Sequence, residues 1–317
     1  MPSELYHLID SKDWDASLAW LRKMSKEKLL EETRSFSPLF LIVYVNDGDL
    51  GASAKELCFR LMDLGGKDLV LNNTGLGSVQ KFYSSSSPLH LVCLSGYGYS
   101  HDVLSRLLVI GGKELVLMTN SEACTALHCL SYDDKYFSSK VMDQLIEVGG
   151  IDLVFMANSN IETPLHLACN IMRPINAEVV TQLIQYGGKE LVCMVDLYAQ
   201  TVLHTSCFGL REGYNIDVVN LLIQVGGNEL VFMQDQMGDT ALHAACENCD
   251  DVSYSPERQE IVYRLLDVGG EMLLLMKNDC GNTAYEIEYK SRTPNRQILD
   301  RFLEIGGERL NHATNIR

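Results

Sequence analysis

One short motif recurs five times along the chain at a nearly constant interval. Each copy consists of a Ser or Thr, one variable residue, a Leu and a His, and the histidines are His90, His128, His166, His204 and His243. Successive histidines are separated by 38, 38, 38 and 39 residues. Self-similarity at a fixed period indicates stacked, near-equivalent units that share a continuous core.

A pair of glycines keeps step with this motif and extends the pattern toward both ends of the chain. The pairs are Gly65-Gly66, Gly111-Gly112, Gly149-Gly150, Gly187-Gly188, Gly226-Gly227, Gly269-Gly270 and Gly306-Gly307. Chance does not keep two landmarks in phase over so many copies. The sequence therefore predicts about seven units.

Each unit is predicted to contain two helices. The hydroxyl of a residue such as Thr163 is expected to cap the first helix, because Ser and Thr accept hydrogen bonds from free N–H groups of the first turn. Pro164 fits the next position, where a missing N–H costs nothing. Helical spacing then places three side chains on one apolar stripe: Leu165, Ala168 and Cys169.

A second apolar pattern in each unit predicts the second helix. In the same copy it comprises Val179, Val180, Leu183 and Ile184. The first glycine of the pair is expected to end this helix by adopting a left-handed conformation.

These units resemble those of the ankyrin repeat family, in which Thr-Pro-Leu-His precedes two small residues. Residues 163–169 and 240–246 match that pattern closely, and the resemblance extends over about Ser37–Asn311. It implies an all-α repeat solenoid of about seven helix-turn-helix units with hairpin loops. It also implies that the motif histidine bridges backbone and Thr hydroxyls between neighbouring units.

The copies depart from the family in two respects. The period here is 38 residues, against a usual ankyrin period of about 33. Part of the excess is an apolar run such as Leu153–Met156, which is predicted to pack along the edge of the array. The hairpin turn carries glycine at Gly238 and Gly281, but Ala123, Ile161 and Ala199 stand at that position elsewhere. Because a β-branched residue disfavours positive φ, the turn at Ile161 is expected to differ.

The terminal copies are degenerate, as end units of a repeat array should be. Phe40 and Glu286 replace the histidine in the first and last copies. The predicted organisation is an N-terminal capping helix pair over residues 1–36, a repeat array over 37–311 and a tail over 312–317.

Composition narrows the classes of function. The N-terminus lacks the basic and apolar stretches of a signal peptide, and no apolar run could span a bilayer, which predicts a cytoplasmic or nuclear location. The chain is expected to be a monomer. A formal net charge of −16 without a basic cluster argues against nucleic acid and membranes and favours a basic protein partner. The ten cysteines are expected to be reduced.

The repeated histidines also suggest an alternative, because several have a Cys three residues later. Such pairs, for example His166 with Cys169, could supply two ligands to a metal or take part in catalysis. A zinc site needs four ligands, or three and a water, and neighbouring pairs are one repeat apart. We therefore predict a protein that is not an enzyme and that has no cofactor or metal.

A non-catalytic interaction scaffold is the function that the resemblance implies. Ankyrin proteins usually bind partners along the hairpin tips and the face of the first helices, and apolar or aromatic side chains occur there. The candidate partner-binding residues are Tyr132, Asp133, Ile171, Leu197, Tyr198, Phe208, Met237 and Glu247.

Two alternatives remain open for these candidates. The same side chains could instead pack on adjacent units, or part of the contact could lie in the long turns between helices, near residues 96–102, 132–140, 208–215 and 247–258. The chain could also be a regulatory arm of a larger assembly.

Overall fold

Helices make up most of the described chain. The computed structural model describes residues 3–46, 51–73, 85–94, 101–132, 138–170, 175–208, 216–247 and 256–311. Apart from an isolated bridge between Val195 and Thr201, extended pairing is absent from these segments. The predicted all-α class is confirmed. The chain divides into two compact units, residues 1–159 and 160–317.

The first unit begins with three short helices and continues with three helix pairs. The three are α1 (Glu4–Asp10), α2 (Trp14–Leu21) and α3 (Lys26–Glu32). The pairs are α4 (Pro38–Val45) with α5 (Ala52–Val70), α6 (Pro88–Leu94) with α7 (His101–Val116), and α8 (Ala126–Tyr132) with α9 (Ser139–Gly149), followed by a 3-10 helix (Ile151–Phe155). Helices α4, α6 and α8 pack in sequence as one layer, and α5, α7 and α9 as the other.

The start of the chain contains one helix more than the sequence predicted. Helices α1 and α2 account for the expected pair, and α3 is additional. Helix α1 packs on α4, while α2 and α3 pack on α5. The fully buried side chains of Leu5, Ile9 and Leu29 thereby cover the first helix pair.

The second unit contains four further helix pairs. They are α10 (Pro164–Ala168) with α11 (Ala177–Val192), α12 (Val202–Cys207) with α13 (Ile216–Phe232), α14 (Ala241–Cys246) with α15 (Pro256–Leu274), and α16 (Ala284–Lys290) with α17 (Arg296–Gly306), followed by α18 (Glu308–Asn311). The first helices of these pairs pack in one layer and the second helices in another. Seven repeat units are thus present in the described residues, as predicted.

The glycine pair works differently from the prediction. At Gly187-Gly188 it is the second glycine that leaves the helical region, with φ 55° and ψ −149°, so the expectation for the first glycine is wrong. The first is required by space, because a Cβ there would lie 2.4 Å from the Cβ of Leu191. After this kink the backbone makes another helical turn, in which Leu191 and Val192 are fully buried. The start of the apolar run is therefore buried in the core, whereas the sequence predicted packing along the edge of the array.

A buried ion pair joins the last two repeats. Arg258 in α15 and Glu288 in α16 are 3% and 0% exposed and contact each other directly. The Nε of Arg258 also donates to the carbonyl of Ala245 at 2.8 Å, and Glu288 Oε1 accepts the backbone N–H of Asn295 at 2.7 Å. The pair thus supplies hydrogen bonds at the end of α14 and at the start of α17.

We expect Glu288→Ala to lower the free energy of unfolding by about 3–5 kcal/mol, because it leaves the Arg258 guanidinium buried without its counter-charge. Urea-induced unfolding measures this loss. The double variant Arg258→Met, Glu288→Leu replaces both charges with apolar groups and should lose much less. If the single and double variants lose the same free energy of unfolding, the uncompensated charge of Arg258 is not the cause of the loss.

Candidate functional site

Three of the motif histidines, His90, His204 and His243, connect successive repeats through hydrogen bonds at both ring nitrogens. In the copy at Thr201, the backbone N–H donates to Nδ1 of His204 at 3.2 Å, and the Thr201 hydroxyl lies 2.8 Å from the same nitrogen. On the other side of the ring, Nε2 lies 3.0 Å from the carbonyl of Asp239 in the following repeat. His90 and His243 make equivalent contacts with Cys124 and Asn282, at 2.9 and 3.2 Å.

These contacts define the protonation state of the ring. A backbone N–H can only donate, so Nδ1 must accept, and the single proton of the neutral imidazole lies on Nε2, where it faces a carbonyl. A second proton would have to sit on Nδ1 and would oppose the Thr N–H. In the last repeat, Glu286 replaces the histidine and accepts the backbone N–H of Thr283 at 2.7 Å.

Burial keeps these histidines neutral. It lowers the pKa of His90 to about 4, from an ordinary value of 6.5. Burial is also the main cause of the lowered pKa of His166, His204 and His243. The shifts therefore come from the packing of the repeats.

The cysteines that accompany the histidines lie inside the repeats. Burial raises the pKa of the Cys169 and Cys207 thiols to about 12, which keeps them protonated at neutral pH. Protonated thiols are poor nucleophiles and poor metal ligands. In the parts of the chain that the structure describes, three or more His, Cys, Asp or Glu side chains do not gather in a way that could hold a metal ion.

The hairpin tips have a shared turn. The Asp235 carboxylate accepts the backbone N–H groups of Met237 and Asp239, at 2.8 and 3.0 Å. Asp196 makes the same two contacts with Tyr198 and Gln200, at 2.9 and 2.8 Å. Each turn is therefore held by the short polar side chain that directly precedes the two tip residues, Asp196 before residues 197–198 and Asp235 before residues 236–237.

The turn at Ile161 is not different from the others, so that expectation is wrong. Ile161 has a φ of 59°, close to 57° at Ala199 and to 73° at Gly238. For a β-branched residue this conformation is strained. Its side chain is 46% exposed, so burial does not offset the strain.

Four apolar side chains lie exposed along the tips of the second unit, and we call them the tip row: Ile161, Leu197, Tyr198 and Met237. Their exposed fractions are 46%, 51%, 59% and 58%. Backbone hydrogen bonds link consecutive tips, from Leu197 N–H to the Asn160 carbonyl at 2.9 Å and from Gln236 N–H to the Tyr198 carbonyl at 2.9 Å. A third link runs from Asp279 N–H to the Met237 carbonyl at 3.0 Å. The row is therefore held by the backbone as one surface.

The other predicted partner-binding residues have mixed placements. Tyr132 and Phe208 are half-buried, and Glu247 is exposed at the end of α14. Asp133 and Ile171 lie outside the described residues, as do most of the long turns between helices. Ile161 was missed by the sequence reasoning, because its exposure cannot be seen in the sequence and its branched side chain argued against the turn.

Solved structures share this architecture. The ankyrin repeat domain of Bcl-3, described as a unique member of the IkappaB protein family, matches with a TM-score of 0.57 at 21% identity over 84% of this chain and 97% of that one. An ankyrin repeat domain from Acinetobacter baumannii AYE matches with a TM-score of 0.52 at 20% identity, over 68% of this chain and 96% of that one. No family model matches the sequence, and no curated protein matches it either.

In the segments that the structure describes, no helix is both long enough and apolar enough to cross a bilayer.

We expect the free energy of unfolding to fall as the pH is lowered from about 6.5 to about 4, because the unfolded chain takes up protons that the buried histidines do not. Each such histidine contributes a slope of up to about 1.4 kcal/mol per pH unit below about pH 6.5 and nothing above it, and for His90 this window extends down to about pH 4. Denaturant unfolding between about pH 7.5 and 5 measures the slope. His204→Gln should reduce the slope, because it removes one of the buried rings whose pKa is lowered by burial.

We expect Ile161→Gly to raise the free energy of unfolding by about 1 kcal/mol, because glycine removes the strain of positive φ. Leu197→Gly is the matched control, since Leu197 is equally exposed but does not have positive φ. The control should destabilise the protein through added chain entropy. A loss of stability in both variants would show that Ile161 is not strained.

Proposed function

The chain has the ankyrin repeat fold, and from that premise we propose that it is a non-catalytic protein that binds other proteins through its hairpin tips and the face of its first helices. The observation that carries the proposal is the tip row, in which four apolar side chains are exposed on a backbone held by hydrogen bonds. Exposed apolar groups on a rigid scaffold are typical of interaction sites. At the ends of the first helices, the proposal includes Phe208 and Glu247 in the second unit and, separately, Tyr132 in the first unit.

The strain at Ile161 supports a binding role for the tip row. A solvent-exposed turn with positive φ favours Gly, as at Gly238, or a small polar residue. Neither stability nor solubility accounts for an exposed isoleucine there. Strain that persists without compensating burial is typical of functional positions.

A second candidate function, metal or catalytic chemistry of the repeated His and Cys residues, receives no support from the geometry. At His90, His204 and His243 both ring nitrogens are engaged by Ser or Thr and by a carbonyl of the next repeat. The Cys thiols beside them are buried and protonated. These groups serve the packing of the repeats.

The proposal includes three expectations from composition. A net charge of −16 favours a basic partner. The proposal also includes a cytoplasmic or nuclear location and a monomeric state, which are expectations from the sequence.

We expect Leu197→Ser, Tyr198→Ala to weaken partner binding by about 2 kcal/mol or more, roughly 30-fold, because aromatic anchors dominate interface energies. Affinity capture from cell extract, followed by titration with the recovered partner, measures the change. Met272→Ser is the matched control, because Met272 is 72% exposed in the same unit but lies in α15, away from the tips. Unchanged recovery and affinity with the double variant would remove the tip row from the interface.

A further inference from the structure

The tips of the second unit carry negative charge without a counter-charge among their own residues. The four tip segments are residues 160–162, 196–200, 235–239 and 278–282. They contain five carboxylates and neither Lys nor Arg, and the carboxylates are Glu162, Asp196, Asp235, Asp239 and Asp279. In the surrounding repeat, Lys277 is exposed, and Lys290 donates to Asn282 at 2.8 Å. The tip row is thus an apolar surface in a negative field.

Carboxylates are densest beside Met237. Asp235 flanks it in the same turn, Asp279 donates its backbone N–H to the Met237 carbonyl at 3.0 Å, and Glu247 lies at the end of the following helix. Burial, and then the charges of Asp239 and Asp235, raise the pKa of Glu247. A carboxylate whose pKa is raised by neighbouring negative charges is stabilised in its charged form by a positive group placed beside it.

The spacing of the tip row suggests the conformation of an occupant. Neighbouring repeats pack about 8–10 Å apart, so consecutive tips present side chains at that interval. An extended segment in the polyproline II conformation advances about 3.1 Å per residue and has three residues per turn, so every third side chain points the same way and meets the next tip. Three successive tips, at Ile161, Leu197-Tyr198 and Met237, would therefore contact residues i, i+3 and i+6.

We propose that the tip row binds an extended peptide segment with apolar side chains at every third position and Lys or Arg beside them. This inference rests on the proposed function and deepens it by stating the chemistry of the partner. The apolar side chains contact the tip row, and the basic side chains pair with Glu247, Asp279 and the other tip carboxylates. The basic side chains of the segment are inferred from the negative charge of this surface, which they would complement.

The test uses the full chain and fluorescent synthetic peptides of about 12 residues, long enough to pass three tips. One peptide repeats Leu-Ser-Lys, the second replaces Lys with Glu, and the third replaces Leu with Ser. We expect the first peptide to bind at least about tenfold more tightly than either of the others, with an affinity that falls as salt rises. Equal binding of the Lys and Glu peptides, or no binding of the first, would overturn the inference.

Two pairs of substitutions test whether the peptide binds this surface or is attracted to the net negative charge of the whole protein. Glu247→Gln, Asp279→Asn should weaken binding of the Leu-Ser-Lys peptide about tenfold. Glu190→Gln, Glu260→Gln removes the same charge from exposed positions in α11 and α15 and should leave the affinity unchanged. Equal weakening by both pairs would also overturn the inference.

The two proposals can fail separately. If the natural partner loses affinity for Leu197→Ser, Tyr198→Ala but the peptides do not bind as stated, the binding function stands and the partner chemistry is wrong. If that variant leaves the natural partner unaffected, the proposed function itself fails.

Discussion

The neutral histidine that bridges one repeat to the next is the interaction on which the rest of the fold depends. His204 accepts at Nδ1 from the first turn of its own helix and donates at Nε2 to the Asp239 carbonyl, in the loop of the following repeat. A single side chain thus caps a helix and sets the position of the next hairpin. Because the ring is buried, its neutral form is required, and repeat packing is coupled to protonation.

The same scaffold leaves the hairpin tips free to vary. An Asp or Asn side chain and tip-to-tip backbone hydrogen bonds hold the turn, so the two residues at each tip contribute little to stability. Residues at the tips can therefore vary with little effect on the fold, and the proposed binding surface at Leu197 and Tyr198 uses these positions. Ile161 is also exposed there, although its backbone is strained. Under the proposed function, partner binding and fold stability depend on different parts of each repeat.

The C-terminal repeat is held differently from the others. Glu286 takes over the capping role of the histidine, and Glu288 occupies a position where the three preceding repeats carry the small residues Ala168, Ser206 and Ala245. A charge in that slot is tolerated because Arg258 meets it from the preceding repeat. One compensating pair thus replaces the apolar packing used elsewhere.

By itself the sequence determined the repeat, its two helices, the capping Ser or Thr and the apolar stripes, because these depend on local spacing that recurs in every copy. It also located Leu197, Tyr198 and Met237, since tip positions follow from the period. Only the tertiary structure decided which glycine breaks the helix, that Ile161 adopts positive φ, and that Arg258 meets Glu288. The last two depend on neighbours distant in sequence, namely a turn held by adjacent tips and two charges that are buried together. The first depends on the backbone geometry of the kink, where Leu191 packs against Gly187 one turn later.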